Sequence, residues 1–147
     1  MEVFIENLKG LIAESNKSLR QLASESGVSA MQYSRYLSGS IPTIGVTIKI
    51  ANYFNCSLDY LFGLSDEEES NKYKTFNFDI NLFIENYNEL LKQNNTTNYK
   101  FMKQGGYDES IIRHWKGGSL PRLDVVYYIA KNLGGSMDKL LGRSESN

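Results

Sequence analysis

Histidine and cysteine each occur once in the 147 residues, as His114 and Cys56. No set of imidazoles, thiolates and carboxylates stands at metal-ligand spacing, so a metal site is not expected. Cys56 lies in an apolar stretch and reads as packing; a lone cysteine excludes an intrachain disulfide and fits a reducing compartment. No paired acid and base, phosphate-cradling glycine loop or nucleophile motif is present, so neither enzyme activity nor a cofactor is expected. The chemistry on offer is hydrogen bonding by short polar side chains at a spacing of three. Ser18 precedes Gln21, and Ser29 precedes Gln32. In such a capping box the serine oxygen accepts from the backbone N–H three residues on, and the glutamine side chain returns a bond to the serine's own N–H. Each pair therefore marks a helix start.

The elements that carry these pairs follow from periodicity. Phe4, Ile5, Leu8, Leu11 and Ile12 form one helical face. Ser18 opens a second helix with Leu19, Leu22 and Ala23 inward, and Gly27 ends it by taking the left-handed conformation. Ser29 opens a third, which runs to about Leu37 and stops at Gly39, with Tyr33 and Tyr36 as packing residues. Pro42 and Thr43 start a fourth, with Val46, Ile50, Ala51 and Phe54 inward. Ser57 caps a short fifth that buries Leu58 and Leu61 and stops at Gly63. The short join Ser26-Gly27-Val28-Ser29 forces the second and third helices to cross steeply, a helix-turn-helix geometry. Small Ala23 suits their close approach, Val28 fills the space beneath, and the third helix stands proud enough to enter a major groove.

A shift of 79 residues aligns the chain with itself without a gap, giving 18 identities in 62 positions over residues 4–65. Phe4-Ile5-Glu6-Asn7 falls on Phe83-Ile84-Glu85-Asn86, Gly27 on Gly106, and Gly39-Ser40-Ile41-Pro42 on Gly118-Ser119-Leu120-Pro121. Ser57, Asp59, Leu61 and Gly63 fall on Ser136, Asp138, Leu140 and Gly142. Identity at glycines, prolines and caps implies the same turns at the same places, hence two copies of one fold. The expected domains are residues 1–65 and 80–147, joined by an acidic linker over 66–79. Phe76, Phe78 and Ile80 alternate with polar residues, which suits a short extended arm packed on a domain.

Composition is ordinary for a globular protein, at 41% hydrophobic, 22% charged and two prolines. The apolar runs fall short of the roughly 20 residues that span a bilayer, and the start lacks the features of a signal peptide. A cytoplasmic protein that keeps clear of membranes is expected. Net charge is −1; residues 1–65 carry five bases and five acids, 66–82 two and five, and 83–147 nine and seven. The basic excess usual for nucleic-acid binders is missing, so any such binding must come from a few well-placed donors.

Residues 18–29 followed by Gly39-Ser40-Ile41-Pro42 resemble the Cro/phage-repressor (XRE-type) helix-turn-helix family, and residues 50–63 resemble the closing helices of its bacterial members. The second copy keeps Gly106, Trp115, Gly118, Leu120-Pro121, Ile129-Ala130, Ser136, Asp138, Leu140 and Gly142, so the resemblance covers about nine-tenths of the chain. It implies an all-α protein of two tandem five-helix, lambda-repressor-like domains. It also implies a sequence-specific DNA-binding transcriptional regulator, a repressor by preference, whose partner is double-stranded DNA. A homodimer or a partner regulator is a further candidate partner, and with no sensor domain evident neither a small-molecule substrate nor an inducer is expected.

Carried over by position, the base-reading residues of the first copy are Ala30, Met31, Gln32 and Arg35. Gln can bridge adenine, Arg can fork onto guanine, and Ala or Met can meet a thymine methyl. Two readings stand for Gln32, the base and the cap, and two for Arg35, the base and a solvated surface. Ser18, Arg20, Ser29, Ser38, Ser40 and Thr43 lie at helix starts or in the loop after the third helix, where phosphates are met; for Ser18 and Thr43 simple capping is the other reading. Leu19 stands where the family commonly has a phosphate-contacting Gln, so modest affinity and a shallow salt dependence are expected. In the second copy Met102 replaces Ala23, and the recognition helix is expected to begin at Asp108 and Glu109. Base reading falls to Glu109, Ser110, Ile111 and His114, with Arg113, Lys116 and Arg122 supplying positive charge. That copy either binds DNA or serves packing and dimerisation.

Half-sites one helical turn apart lie roughly 34 Å from each other, and the 17 residues from Asp66 to Leu82 reach about 56 Å fully extended. One chain can therefore be expected to span two half-sites of unequal sequence. The competing readings are a protein-interaction module, antirepressor or antitoxin-like, and a mixed chain with DNA on the first copy and protein on the second.

Overall fold

A computed structural model describes residues 2–66 and 78–143, and every regular element in them is an α-helix. Contacts divide the chain into two compact units at Phe76 and Asn77. The expected linker lies mostly at residues 67–77, outside the described residues, as do Phe76 of the proposed arm and residues 144–147.

The first unit holds α1 (Glu2–Ser15), α2 (Leu19–Ser26), α3 (Ala30–Leu37), α4 (Ile44–Phe54) and α5 (Leu58–Leu61). α1 buries Phe4, Leu8 and Leu11, leaving Ile5 and Ile12 half-exposed, and Phe4 stacks on Phe62 at 4.9 Å. Leu22, Val28, Tyr33, Ile50, Leu58 and Leu61 are wholly buried beside them; each such side chain contributes about 1.5–3 kcal/mol by leaving water.

α4 turns a different face inward from the one read off the sequence. Val46 and Phe54 are half-buried, whereas Ile44, Thr47 and Ile48 join Ile50 and Ala51 in the core. Ile44, Thr47, Ile48 and Ala51 follow the i, i+3, i+4, i+7 rule. Thr47 can enter because its hydroxyl donates to the Thr43 carbonyl at 2.8 Å, so no polar group is buried unpaired.

The second unit holds α6 (Ile80–Gln93), α7 (Asn98–Gln104), α8 (Ile111–Lys116), α9 (Leu123–Asn132) and α10 (Met137–Leu140). The Asp79 carboxylate caps α6 by accepting from the N–H groups of Asn81 and Leu82. Half-buried Phe78 sets its ring 6.0 Å from Phe83. Trp115 fills the centre, edge-on to Phe83 at 4.9 Å and to Tyr87 at 5.8 Å.

One long-range bond recurs in both units. Asn7 Nδ2 donates to the carbonyls of Tyr60 and Leu61 at 2.7 and 3.4 Å, and Asn86 Nδ2 donates to those of Lys139 and Leu140, each at 3.1 Å. In each unit the first helix is thereby pinned to the last.

Candidate nucleic-acid interface

The elbow of the first unit is built as its polar spacing suggests. Gln21 N–H donates to Ser18 Oγ at 3.2 Å while Ser18 N–H donates to Gln21 Oε1 at 3.3 Å, so the first box is closed. The second is closed as well, with Gln32 N–H on Ser29 Oγ at 3.1 Å and Ser29 N–H on Gln32 Oε1 at 2.9 Å. Between them Gly27 takes φ +78, a left-handed conformation that costs a side-chain-bearing residue about 1–2 kcal/mol. Its N–H closes on the Ala23 carbonyl at 3.2 Å. Wholly buried Val28 anchors the turn. Ser26 is a hinge pin that the spacing of residues did not reveal: its Oγ accepts from Val28 N–H at 3.3 Å and from the Tyr33 hydroxyl at 2.7 Å. Burial pushes the Tyr33 phenol up, so it stays a donor.

This frame buries Tyr33 and Tyr36 and turns the opposite face of α3 to solvent. Met31 is 64% exposed, Ser34, Arg35 and Ser38 are exposed, and Ala30 and Gln32 are half-buried. Met31, Ser34, Arg35 and Ser38 form one outward stripe. Ser34 was absent from the sequence-derived set, although its spacing from Met31 marks the same face. The Gln32 side chain is engaged through its Oε1, which accepts from Ser29 N–H in the box.

Ser18, Arg20, Ser29, Ser38, Ser40 and Thr43 are all exposed. The oxygens of Ser18, Ser29 and Thr43 accept from helix N–H groups in their own caps. A hydroxyl in that role still carries a proton it can donate outward. Ser40 N–H closes on the Arg35 carbonyl at 3.0 Å, tying the loop to the end of α3.

The second elbow departs from the expected form. α8 begins at Ile111 rather than at Asp108 or Glu109. Ile111 occupies the place of Gln32 and has no polar atom to complete a box. The Asp108 carboxylate accepts instead from Ser110 N–H at 2.8 Å, which leaves Glu109 and Ser110 in a turn. That bond, with help from His114 and Arg113, holds the Asp108 carboxyl below its usual range. Asn98 locks the turn, its Nδ2 donating to the Glu109 carbonyl at 2.8 Å and its Oδ1 accepting from Tyr87 at 2.9 Å. Met102 is wholly buried. The end of α7 repacks with it: Gly105 replaces Ser26 and lets the Tyr128 ring lie where a Cβ would clash. Tyr128 stacks on Phe101 at 4.5 Å and donates to its carbonyl.

Glu109, Arg113, His114, Lys116 and Arg122 are exposed, while Ser110 and Ile111 are half-buried. Arg122 does not offer bare charge, since its guanidinium pairs with the Asp124 carboxylate at 3.1 Å. Asp108, Glu109, Arg113 and Lys116 line a hollow of about 750 Å3 whose charges are of both signs.

Among the described residues no group of three or more His, Cys, Asp or Glu side chains could hold a metal ion, and no helix is long and apolar enough to cross a membrane. None of the curated proteins and none of the solved structures matches the chain. Residues 8–61, within the first unit, are similar to the family model described as helix-turn-helix.

Proposed function

We propose that this chain is a sequence-specific DNA-binding transcriptional regulator, acting as a repressor by occupying its operator with α3 in the major groove. The observation that carries this reading is the solvent-facing stripe of Met31, Ser34, Arg35 and Ser38 on a helix held out by two closed capping boxes. Arg35 forks onto guanine and Met31 packs on a thymine methyl, with Ala30 beside them. Gln32 acts through the cap, keeping the tip of α3 rigid. Ser18, Arg20, Ser29, Ser38, Ser40 and Thr43 hold phosphates through one cation and several hydroxyls. So few cations mean a shallow salt dependence.

In this reading the second unit, residues 80–147, is a second copy of the domain, and the acidic linker over 66–79 lets one chain reach two unequal half-sites. Arg113 and Lys116 supply the positive charge of its outward face, with His114 exposed between them. A mixed chain is the second reading, with the second unit holding a partner regulator or another copy of this chain. The late start of α8 and the mixed charges beside it favour that version, because Asp108 and Glu109 face phosphate poorly.

Gel retardation on DNA selected from random sequence by the whole chain tests both. Arg35→Ala is expected to weaken binding about tenfold to a hundredfold, as the loss of a bidentate base contact does. Arg113→Ala with Lys116→Ala separates the readings: weakened binding and a shortened footprint support two DNA-binding units, an unchanged footprint the mixed chain. No retardation by the unaltered protein at low salt would overturn the regulator altogether.

A further inference from the structure

In the first unit one polar cluster ties the α1–α2 turn to the ends of α2 and α4. Lys17 Nζ donates to Glu25 Oε1 at 2.6 Å and to the Tyr53 hydroxyl at 3.2 Å, and that hydroxyl donates to Glu25 Oε1 at 3.0 Å. The residues 79 positions on are Thr96, Gln104 and Asn132. A cation, an anion and a phenol have all been replaced by short neutral polar groups. At the matching place the second unit has an open surface hollow of about 550 Å3 lined by these three residues with Asn94, Asn95, Tyr128, Phe101 and Leu133.

The lining carries no acid or base, and its one phenol, Tyr128, is pushed up by burial and stays neutral. Asn94 Nδ2 donates to the carbonyls of Leu90 and Leu133 at 2.8 and 3.0 Å, and Asn132 Nδ2 donates to that of Tyr128 at 2.9 Å. Each amide thus keeps its Oδ1 as an acceptor. Exposed Gln104 and half-buried Thr96 supply donors as well as acceptors. Several hydrogen-bonding groups without a counter-charge suit an uncharged ligand that gives and receives hydrogen bonds, since the lining offers an ionised one no partner charge.

We propose that the hollow between the α6–α7 turn, α7 and α9 binds a small uncharged ligand rich in hydroxyl or amide groups, of the size of a monosaccharide or a nucleoside. Its occupancy does for the second unit what Lys17, Glu25 and Tyr53 do for the first. Gln104 is the last residue of α7, directly before the turn into α8. A ligand joined to Gln104, Thr96 and Asn132 fixes that end against α9 and so sets the second elbow. This site stands whether or not either unit binds DNA.

The test is a titration of the full chain, followed through its side-chain amide NMR signals, with glucose, N-acetylglucosamine, adenosine and uridine at about 10 mM, enough to fill a millimolar site. At least one probe is expected to shift the Asn94, Gln104 and Asn132 signals. Whether a sugar or a nucleoside does so identifies the source, and its phosphorylated counterpart is expected to bind about tenfold more weakly. Gln104→Ala, at an exposed position that leaves the fold intact, is expected to weaken binding about tenfold. Thr96→Lys with Gln104→Glu and Asn132→Tyr rebuilds the cluster and is expected to abolish it. No shift from any of the four probes, equal binding of the phosphorylated form, or shifts that survive both variants would overturn the proposal.

Discussion

The two elbows solve one problem with different materials. In the first, Ser29 and Gln32 close a box that starts α3 at Ala30, and Ser26 pins the turn to Tyr33. In the second, Ile111 cannot return the bond, α8 loses its opening residues to a turn, and Asn98 holds that turn from α7. Aromatic packing takes over from polar bonds: Tyr128 covers Gly105, and Trp115 sits between Phe83 and Tyr87. The last turn differs as well. Arg143 pairs with Asp138 at 3.2 Å, both side chains wholly buried, at the position where the first unit has Leu64. Two units of five helices each can therefore differ at the start of the third helix, because that start depends on one capping residue while the core depends on many apolar contacts.

The sharpest way to separate the units is to remove the centre of one. Trp115→Ala is expected to cost the second unit about 3–5 kcal/mol. Calorimetry would then show its transition falling while that of the first unit stays in place; a common fall of both would break the description of two independent cores. Next come the two turns. Gly105→Ala drives a Cβ into Tyr128 and is expected to cost about 1–3 kcal/mol. Gly27→Ala meets open space and costs only its left-handed backbone, about 1–2 kcal/mol. A larger fall in the denaturant midpoint of its own unit for Gly27→Ala than for Gly105→Ala would contradict the contrast drawn between backbone and ring.

Caps provide a finer comparison. Ser29→Ala removes an acceptor for Gln32 N–H and is expected to cost about 1 kcal/mol. Ser110→Ala removes none and should stay within about 0.5 kcal/mol. Equal losses in urea unfolding would mean that α8 is capped as α3 is.

The smallest expected effect is with pH. Hydrogen bonds from Lys17, then Tyr53, hold the Glu25 carboxyl below its ordinary 4.5. Its contribution is whole above 4.5 and is lost as pH falls through the lowered value. Hydrogen bonds to Glu25, then Tyr53, raise the Lys17 ammonium above 10.5, so that share is whole below 10.5 and is lost as pH rises through the raised value. Both groups are exposed, so the slopes are slight, and Glu25→Gln should flatten them in the first unit. Slopes that persist in Glu25→Gln would assign them to other groups.

What was legible in advance was local. Ser18 with Gln21, Ser29 with Gln32, and Gly27 between them act within one turn of helix, so residue type and spacing determine them. Met31 and Arg35 of the α3 stripe came from the family resemblance by position, as did half-buried Ala30 and Gln32, whereas helical spacing from Met31 adds Ser34 and Ser38 to the same face. The start of α8 was misjudged because acids suit a helix start in general, and only the missing partner at Ile111 shows that the box cannot close. The α4 face was misjudged because Thr47 reads as polar until its hydroxyl is seen on Thr43.

By itself the sequence determined the caps and turns of the first unit and a 79-residue repetition at its glycines, prolines and caps. Tertiary structure alone decided what the matched positions became, a closed ionic cluster at Lys17, Glu25 and Tyr53 against an open neutral hollow at Thr96, Gln104 and Asn132. Capping is a contest among neighbours a few residues apart, which the order of residues records directly. Lys17 and Tyr53 stand 36 residues apart, and Phe101 and Tyr128 27 apart; such pairs exist only once packed helices bring their surfaces together.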